Sequence, residues 1–279
     1  MSATFAERLG QLKGPSRLCV GIDPHRSTLA AWGIADDRDG LARFSETIVN
    51  ECVASGVHVI KPQVALFERL GVAGMAVLAD TISKARENGL LVIADVKRGD
   101  IGTSLAGYAE AWLAPGSDWE ADAMTAVAYQ GVGSLEPALS LVADAGKGVF
   151  VLAATSNPEG WALQSAVTAE GETVAQRIAS ELAARAERAP RSRDGWLGVV
   201  VGATVNRDSM GLSDDALSGL PLLVPGFGAQ GVGLSELQER FGLLAPQVIP
   251  TVSRSVAGDD SHGVSQRISQ HQEELGSAW

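Results

Sequence analysis

Eight short runs rich in Val, Ile and Leu recur along this chain, and they constrain its fold more than any other feature. They are RLCVGID (17–23), HVIKPQ (58–63), LLVIADVK (90–97), AMTAVAY (123–129), GVFVLAA (148–154), WLGVVVGA (196–203), LPLLVPG (220–226) and PQVIPTV (246–252). Each is near-continuously apolar rather than alternating, as parallel strands covered on both faces are. Between them lie stretches with apolar residues at helical spacing, such as FSETIVNECVASG, GMAVLADTISKARENG and TVAQRIASELAARAERA, and several end in Gly. Eight strands alternating with helices predict an α/β fold, a single-domain (β/α)8 TIM barrel over residues 1–279. A doubly wound open sheet, which would use fewer strands, is the alternative. The longest connection, at about 155–195, contains its own helix and a polar RAPRSRDG stretch; it reads as an elaborated loop after strand five. The N-terminal MSATFAERLGQLKG predicts a short amphipathic helix.

Charge narrows the partners. Against 33 acidic residues stand 22 basic ones, a net charge of −11, which argues against nucleic acid or an anionic membrane. No apolar stretch approaches the ~18 residues of a membrane span, and the N-terminus lacks the layout of a signal peptide. Cys19 and Cys52 have no metal-site spacing and suggest reduced thiols in a cytoplasmic protein. An anionic substrate would therefore need a local cluster of cations.

Barrel active sites sit at the C-terminal ends of the strands. The polar residues expected there are Asp23, Lys61, Asp95, Lys97, Ser156, Thr204, Gln230 and Arg254. The segment IADVKRGDIGTS (93–104) is the most densely charged of these places. Residues i and i+2 of a strand share a face, about 6.6 Å apart. Asp95 and Lys97 should both point into the barrel mouth, with Lys61 approaching from the neighbouring strand and Asp100 beyond the strand end. A structural salt-bridge network is the plain alternative, but desolvating several ions costs several kcal/mol each unless geometry repays it. Flanking carboxylates should keep Lys97 an ammonium, and hence a proton donor, which weakens a Schiff-base aldolase reading. A metal at Asp95 and Asp100 would meet the charges of Lys61 and Lys97, so no metal is expected.

Gly226-Phe-Gly228-Ala-Gln-Gly231 spells G-x-G-x-x-G, but it follows the seventh strand and does not open a dinucleotide-binding unit. Loops after strands seven and eight are the usual phosphate site of barrels, and Arg254 in TVSRS offers a bidentate fork for phosphate oxygens. Asp23 in GIDPH fits sugar hydroxyls or a helix cap. Ser156 and Asn157 in ATSNPEG fit a polar ring or a cap. His25 and His58 have no catalytic or metal pattern around them and read as structural.

The segment DVKRGDIGTS resembles the D-x-K-x-x-D signature of the orotidine 5′-phosphate decarboxylase family, cofactor-free barrel enzymes of pyrimidine synthesis. The likeness runs along nearly the whole chain, through GIDP, IKPQ, TSNPEG, PGFGAQG and VSRS. The long, type 2 form of the family, with its extended loop after strand five, is the closer match. Ser104 stands where the family has Thr, with Thr103 before it, and AYQG after strand four departs from the family's N-P-Y-type loop. The resemblance implies that Lys97 protonates C6 of orotidine 5′-monophosphate as carbon dioxide leaves, giving UMP, while Asp95 faces the substrate carboxylate. Lys61 and Asp23 would hold the ribose and order the charges. Ser156 would contact the pyrimidine, and Gln230 and Arg254 the phosphate. Asp100 and Ser104 would come from the partner subunit of a homodimer with shared sites. Two other readings remain. One is a metal-dependent sugar-phosphate decarboxylase or aldol synthase of the same barrel group, whose metal-binding acid would stand where Lys61 is. The other is a non-catalytic barrel that binds a phosphorylated nucleotide.

Overall fold

Residues 3–188 and 197–279 are described by the structure, a computed structural model. The eight strands are β1 (Cys19–Ile22), β2 (Val59–Pro62), β3 (Leu91–Arg98), β4 (Ala123–Ala126), β5 (Gly148–Ala154), β6 (Leu197–Val201), β7 (Leu222–Pro225) and β8 (Val248–Val252). They pair in parallel and in chain order, and β8 returns to pair with β1, so the sheet closes into a barrel. Closure rules out the open doubly wound sheet. The fourth run was expected to reach Tyr129, whereas β4 stops at Ala126. Trp196 and residues 189–195, most of the RAPRSRDG stretch, lie outside the described residues.

Helices Arg38–Ala54, Gly71–Glu87, Gly102–Leu113, Glu136–Ala145, Val174–Arg188 and Val264–Gly276 follow β1 to β5 and β8. After β6 and β7 the return is made by short helices, Asp214–Leu217 and Leu237–Phe241. Gly219 at φ 77° with Pro221 behind it stops the first, and Gly242 at φ 48° caps the second. The connection after β5 holds the short helix Trp161–Gln164 and an antiparallel bridge between Val167 and Thr173, ahead of Val174–Arg188.

Strand parity decides what the barrel encloses. Cys19, Val59, Leu91, Ile93, Ala123, Phe150, Val200, Leu223 and Ile249 form one buried interior cluster, distinct from the larger one beneath the helices. Two residues further along the same strands, the same inward direction belongs to Lys61, Asp95, Thr125 and Thr251, all buried. An apolar barrel floor thus supports a polar layer at the C-terminal ends of the strands. The expected N-terminal helix, Phe5–Gln11, closes the opposite end, with Phe5 and Leu9 joining the interior cluster. The Phe5 ring meets Phe150 edge-on, 6.0 Å between centroids at 87°. Burying such a side chain stabilises the fold by about 1.5–3 kcal/mol. The helix starts with a capping box in which Glu7 N–H donates to Thr4 Oγ1 (3.2 Å) and Thr4 N–H to Glu7 Oε2 (2.8 Å). Cys19 and Cys52 are both buried and unpaired. Among the described residues no helix is long and apolar enough to cross a membrane.

Candidate active site

Two lysines converge on one carboxylate oxygen. Lys61 Nζ lies 2.8 Å from Asp95 Oδ2, and Lys97 Nζ lies 2.7 Å from the same atom. The other oxygen, Asp95 Oδ1, accepts the Thr125 hydroxyl at 2.8 Å. Lys97 Nζ also donates to Gln63 Oε1 at 3.3 Å. Lys61 and Asp95 are buried, while the Lys97 side chain keeps 43% of its surface open to the cavity mouth. Asp95 and Lys97 do share a face, but not through regular strand alternation. The β3–β4 register shifts between Ala94 and Arg98, and Lys97 adopts φ 48°, alone among the described non-glycine residues in being positive. A left-handed backbone costs a non-glycine residue roughly 1–2 kcal/mol, so the surroundings must hold it there. Part of that hold is a hydrogen bond from Lys97 N–H to Thr125 Oγ1 at 2.9 Å.

The charges follow from this geometry. Burial alone would push the Asp95 carboxyl up, but Lys61 and then Lys97 outweigh it and hold Asp95 far below the usual carboxylate range. Burial likewise works against the Lys61 ammonium, and Asp95 with Asp23 overcomes it, so Lys61 is raised above an ordinary lysine. Lys97 goes the other way: burial first, helped by the neighbouring Lys61 charge, outweighs Asp95 and lowers it. The expectation that Lys97 stays an ammonium concerns its charge, and the direction found here is that of one chain, with Asp95 as the paired carboxylate. Within one chain only Asp95 pairs with it, and Asp95 is shared with Lys61. Below the charged layer the Cys19 thiol is pushed up to about 12 by burial, so it stays protonated and takes no nucleophilic part.

A cavity of about 540 Å³ opens above the cluster, a volume suited to a nucleotide-sized ligand. Asp23, Lys61, Asp95, Lys97, Ser156, Gln230 and Arg254 all line it. Asp23 Oδ1 and Thr251 Oγ1 are buried without a hydrogen-bond partner among the described residues, which leaves polar atoms to be satisfied by a ligand. Asp23 does not cap the following helix, whose N-cap is His25. Ser156 forms no cap either, and its exposed side chain lies at the cavity. Gly21 lets β1 and β8 approach here, since a Cβ on it would fall 1.9 Å from Ser253 Oγ.

The loop 226–231 turns on glycines at φ 112°, 74° and 83°, a backbone other residues rarely adopt. Its amides at Ala229 and Gly231 donate within the loop, to Phe227 and Gly228 carbonyls, and that of Gly228 donates to the Val232 carbonyl just past it. The Gln230 side chain and the Arg254 guanidinium are what this end of the cavity offers, and Arg254 has no ion pair among the described residues.

Three expected residues are not brought to this cavity by their own chain. Asp100 accepts the Ile101 amide at 2.8 Å, Ser104 lies exposed on helix Gly102–Leu113, and Thr204 is exposed in the turn after β6. Within one chain Asp95 and Asp100 therefore do not form a joint carboxylate site. Conversely, Gln63, Thr125, Thr251 and Ser253 line the cavity and were not singled out from the sequence. A signal was available for the first three, which stand at i+2 from Lys61, Ala123 and Ile249 on inward-facing parity.

Comparison with known proteins places the whole chain. The sequence model of the orotidine 5′-phosphate decarboxylase / HUMPS family matches residues 16–266. An orotidine 5′-phosphate decarboxylase of Corynebacterium efficiens is 48% identical over 260 residues, 92% of this chain and 90% of the relative. Another, from Salinispora tropica, is 49% identical over 92% of this chain and 91% of its own. A crystal structure from Streptomyces avermitilis, assigned as an orotidine 5′-phosphate decarboxylase, superposes with a TM-score of 0.91 at 45% identity, covering 99% of this chain and 96% of that one. A closed eight-stranded barrel, a Lys–Asp–Lys cluster at its mouth and homology over nine-tenths of the sequence lead to one conclusion: the chain belongs to the orotidine 5′-phosphate decarboxylase / HUMPS family.

Proposed function

We propose that this protein decarboxylates orotidine 5′-monophosphate to UMP in pyrimidine biosynthesis, as a cytoplasmic homodimer that needs no cofactor. The observation that carries this reading is the pair of ammonium groups on Asp95 Oδ2, at 2.8 and 2.7 Å, in a cavity whose far end offers Gln230 and Arg254. The bond from C6 to the carboxylate breaks, carbon dioxide leaves, and the electron pair stays on C6. Such a carbanion has little resonance help, so a fixed ammonium beside it stabilises charge as it develops. Lys97 then delivers its proton to C6 and is reprotonated from solvent through its open side. Lys61, buried and raised, keeps its charge throughout and holds Asp95 ionised. Asp95 in turn aims Lys97 and faces the departing carboxylate. Asp23 and Lys61 would hold the ribose, and Ser156 the pyrimidine. Phosphate contacts, remote from C6, supply binding energy that orients the reacting carbon.

The dimer is proposed because Asp100 and Ser104 do not line their own cavity, while Ile101 and Tyr108 of the same segment, and Tyr129 after β4, are exposed. Apolar side chains of that size exposed in neighbouring segments suit a subunit contact. The whole described chain serves one barrel, and we assign residues 1–279 to one domain, with the connection after β5 as its elaboration.

The direct test is an absorbance assay of purified protein with orotidine 5′-monophosphate, before and after exhaustive chelation. Turnover should survive EDTA, because Lys61 and Lys97 supply the positive charge covalently. Loss restored by Mg²⁺ would place the protein with metal-using chemistry, and binding without turnover would make it a nucleotide sensor. Arg254→Ala should raise KM by about 30- to 150-fold, the loss of about 2–3 kcal/mol for a hydrogen bond to a charged group. An unchanged KM would mean the phosphate lies elsewhere.

A further inference from the structure

We propose that Thr125 is a positioning residue, whose single hydroxyl fixes both the Asp95 carboxylate and the backbone that carries Lys97. This rests on the decarboxylation reading above, and adds a residue to it that the D-x-K-x-x-D segment does not contain. A threonine hydroxyl has one proton to donate and lone pairs to accept. Here the proton goes to Asp95 Oδ1 at 2.8 Å, and a lone pair takes Lys97 N–H at 2.9 Å. Thr125 is 1% exposed, so its hydroxyl is committed to these two bonds.

Both bonds lie at the place where regular structure fails. Backbone pairing of β3 with β4 is interrupted between Ala94 and Arg98, and Lys97 sits inside that gap in the left-handed conformation. Its amide is met by the Thr125 side chain instead. At the same time both lysines hold Asp95 Oδ2, and among the described residues Thr125 holds the other oxygen, Oδ1, which fixes the plane of the carboxylate. Removing the hydroxyl frees the aspartate to turn and the lysine backbone to relax together. Misplacing a reacting group by about 1 Å can cost on the order of 100-fold in rate. Substrate binding should not notice, because phosphate, ribose and ring contacts lie with other residues.

Thr125→Val keeps the shape and removes the hydroxyl, and Thr125→Ser keeps the hydroxyl. In the full-length protein, Val should lower kcat at least about tenfold, with KM and product affinity changed by less than about threefold. Exchange of the Lys97 amide hydrogen, followed by NMR, should quicken by at least about tenfold in Val, and Ser should restore both readings. If Val does not fold, Thr125→Ala carries the same expectations. Wild-type kcat in Val, unchanged amide exchange, or a Ser variant that rescues neither would overturn the positioning role. So would a loss shared between kcat and KM, which marks general damage. If the wild type fails to turn over orotidine 5′-monophosphate while the exchange pattern is as expected, the clamp stands and the decarboxylation reading falls.

Discussion

Lys97→Ala should lose kcat by on the order of 10⁴-fold or more while still binding the product nucleotide within about tenfold of wild type. General acid catalysis contributes about 10²–10⁴-fold, and electrostatic stabilisation of a developing charge about 10²–10³-fold. One ammonium supplies both here, so its removal forfeits both, although the two are not additive. The variant should fold. Asp95 keeps the buried ion pair with Lys61 and its bond from Thr125, so no carboxylate is left buried without a counter-charge. Binding should persist because Arg254, Gln230, Ser156 and Asp23 line other parts of the cavity. Kinetics with orotidine 5′-monophosphate, beside a titration with UMP, separates the two. A variant that still turns over within about tenfold of wild type would remove Lys97 from the chemistry.

The lowered Lys97 gives that expectation a pH signature. Within one chain its folded-state midpoint lies below the ordinary lysine value of about 10.4, because burial and Lys61 disfavour its charge more than Asp95 supports it. Proton donation needs the ammonium, so activity is present below that midpoint and lost as pH rises through it. The Lys97 Nζ titration, followed by ¹⁵N NMR in the free Asp100→Ala protein, where no partner carboxylate reaches Nζ, should show a midpoint below that of exposed lysines. A bound substrate brings its own negative charge beside Nζ and should move that midpoint up. A midpoint at or above the ordinary value in the free Asp100→Ala protein would contradict the balance of charges described here.

How far the sequence could be read depended on which forces were local. Strands showed because covered parallel strands are apolar on both faces, and LLVIADVK or GVFVLAA can hardly be placed otherwise. Spacing alone brought Lys61 and Asp95 together, since a period of two carries the barrel's inward face directly into its polar layer. Thr125 obeyed the same period from Ala123, yet a buried threonine in a β-branched run looks like ordinary strand composition. The bulge that turns Lys97 left-handed left no mark, because no glycine or proline stands at that position. Nor could neighbouring letters give the direction of Lys97's shift. It depends first on burial, and then on Lys61, 36 residues away in sequence and on the same Asp95 oxygen. The short returns after β6 and β7 were hidden in the same way, for SGLP and Gly242 mark ends without saying how little helix precedes them.

Asp100 leads to the second large effect, and to a result that only a shared site gives. Mixing inactive Lys97→Ala chains with inactive Asp100→Ala chains should restore activity from nearly none to about a quarter of all sites. Asp100 stands three residues past Lys97, its carboxylate accepts the Ile101 amide, and its own cavity lacks it. In a two-fold dimer each subunit is both donor and acceptor, so Asp100 of one chain would serve the Lys97 of the other. A mixed dimer then holds one site with both lesions and one with Lys97 and Asp100 both intact. Random exchange makes about half the dimers mixed, and half of their sites are whole. If Asp100 served its own chain, every site would keep one lesion and mixing would restore nothing. Exchange has to be confirmed separately, by mass spectrometry of tagged chains, so that silence cannot be blamed on dimers that never parted. With exchange confirmed and no recovery, Asp100 would belong to its own chain or to no site, and the dimer would lose its catalytic reason.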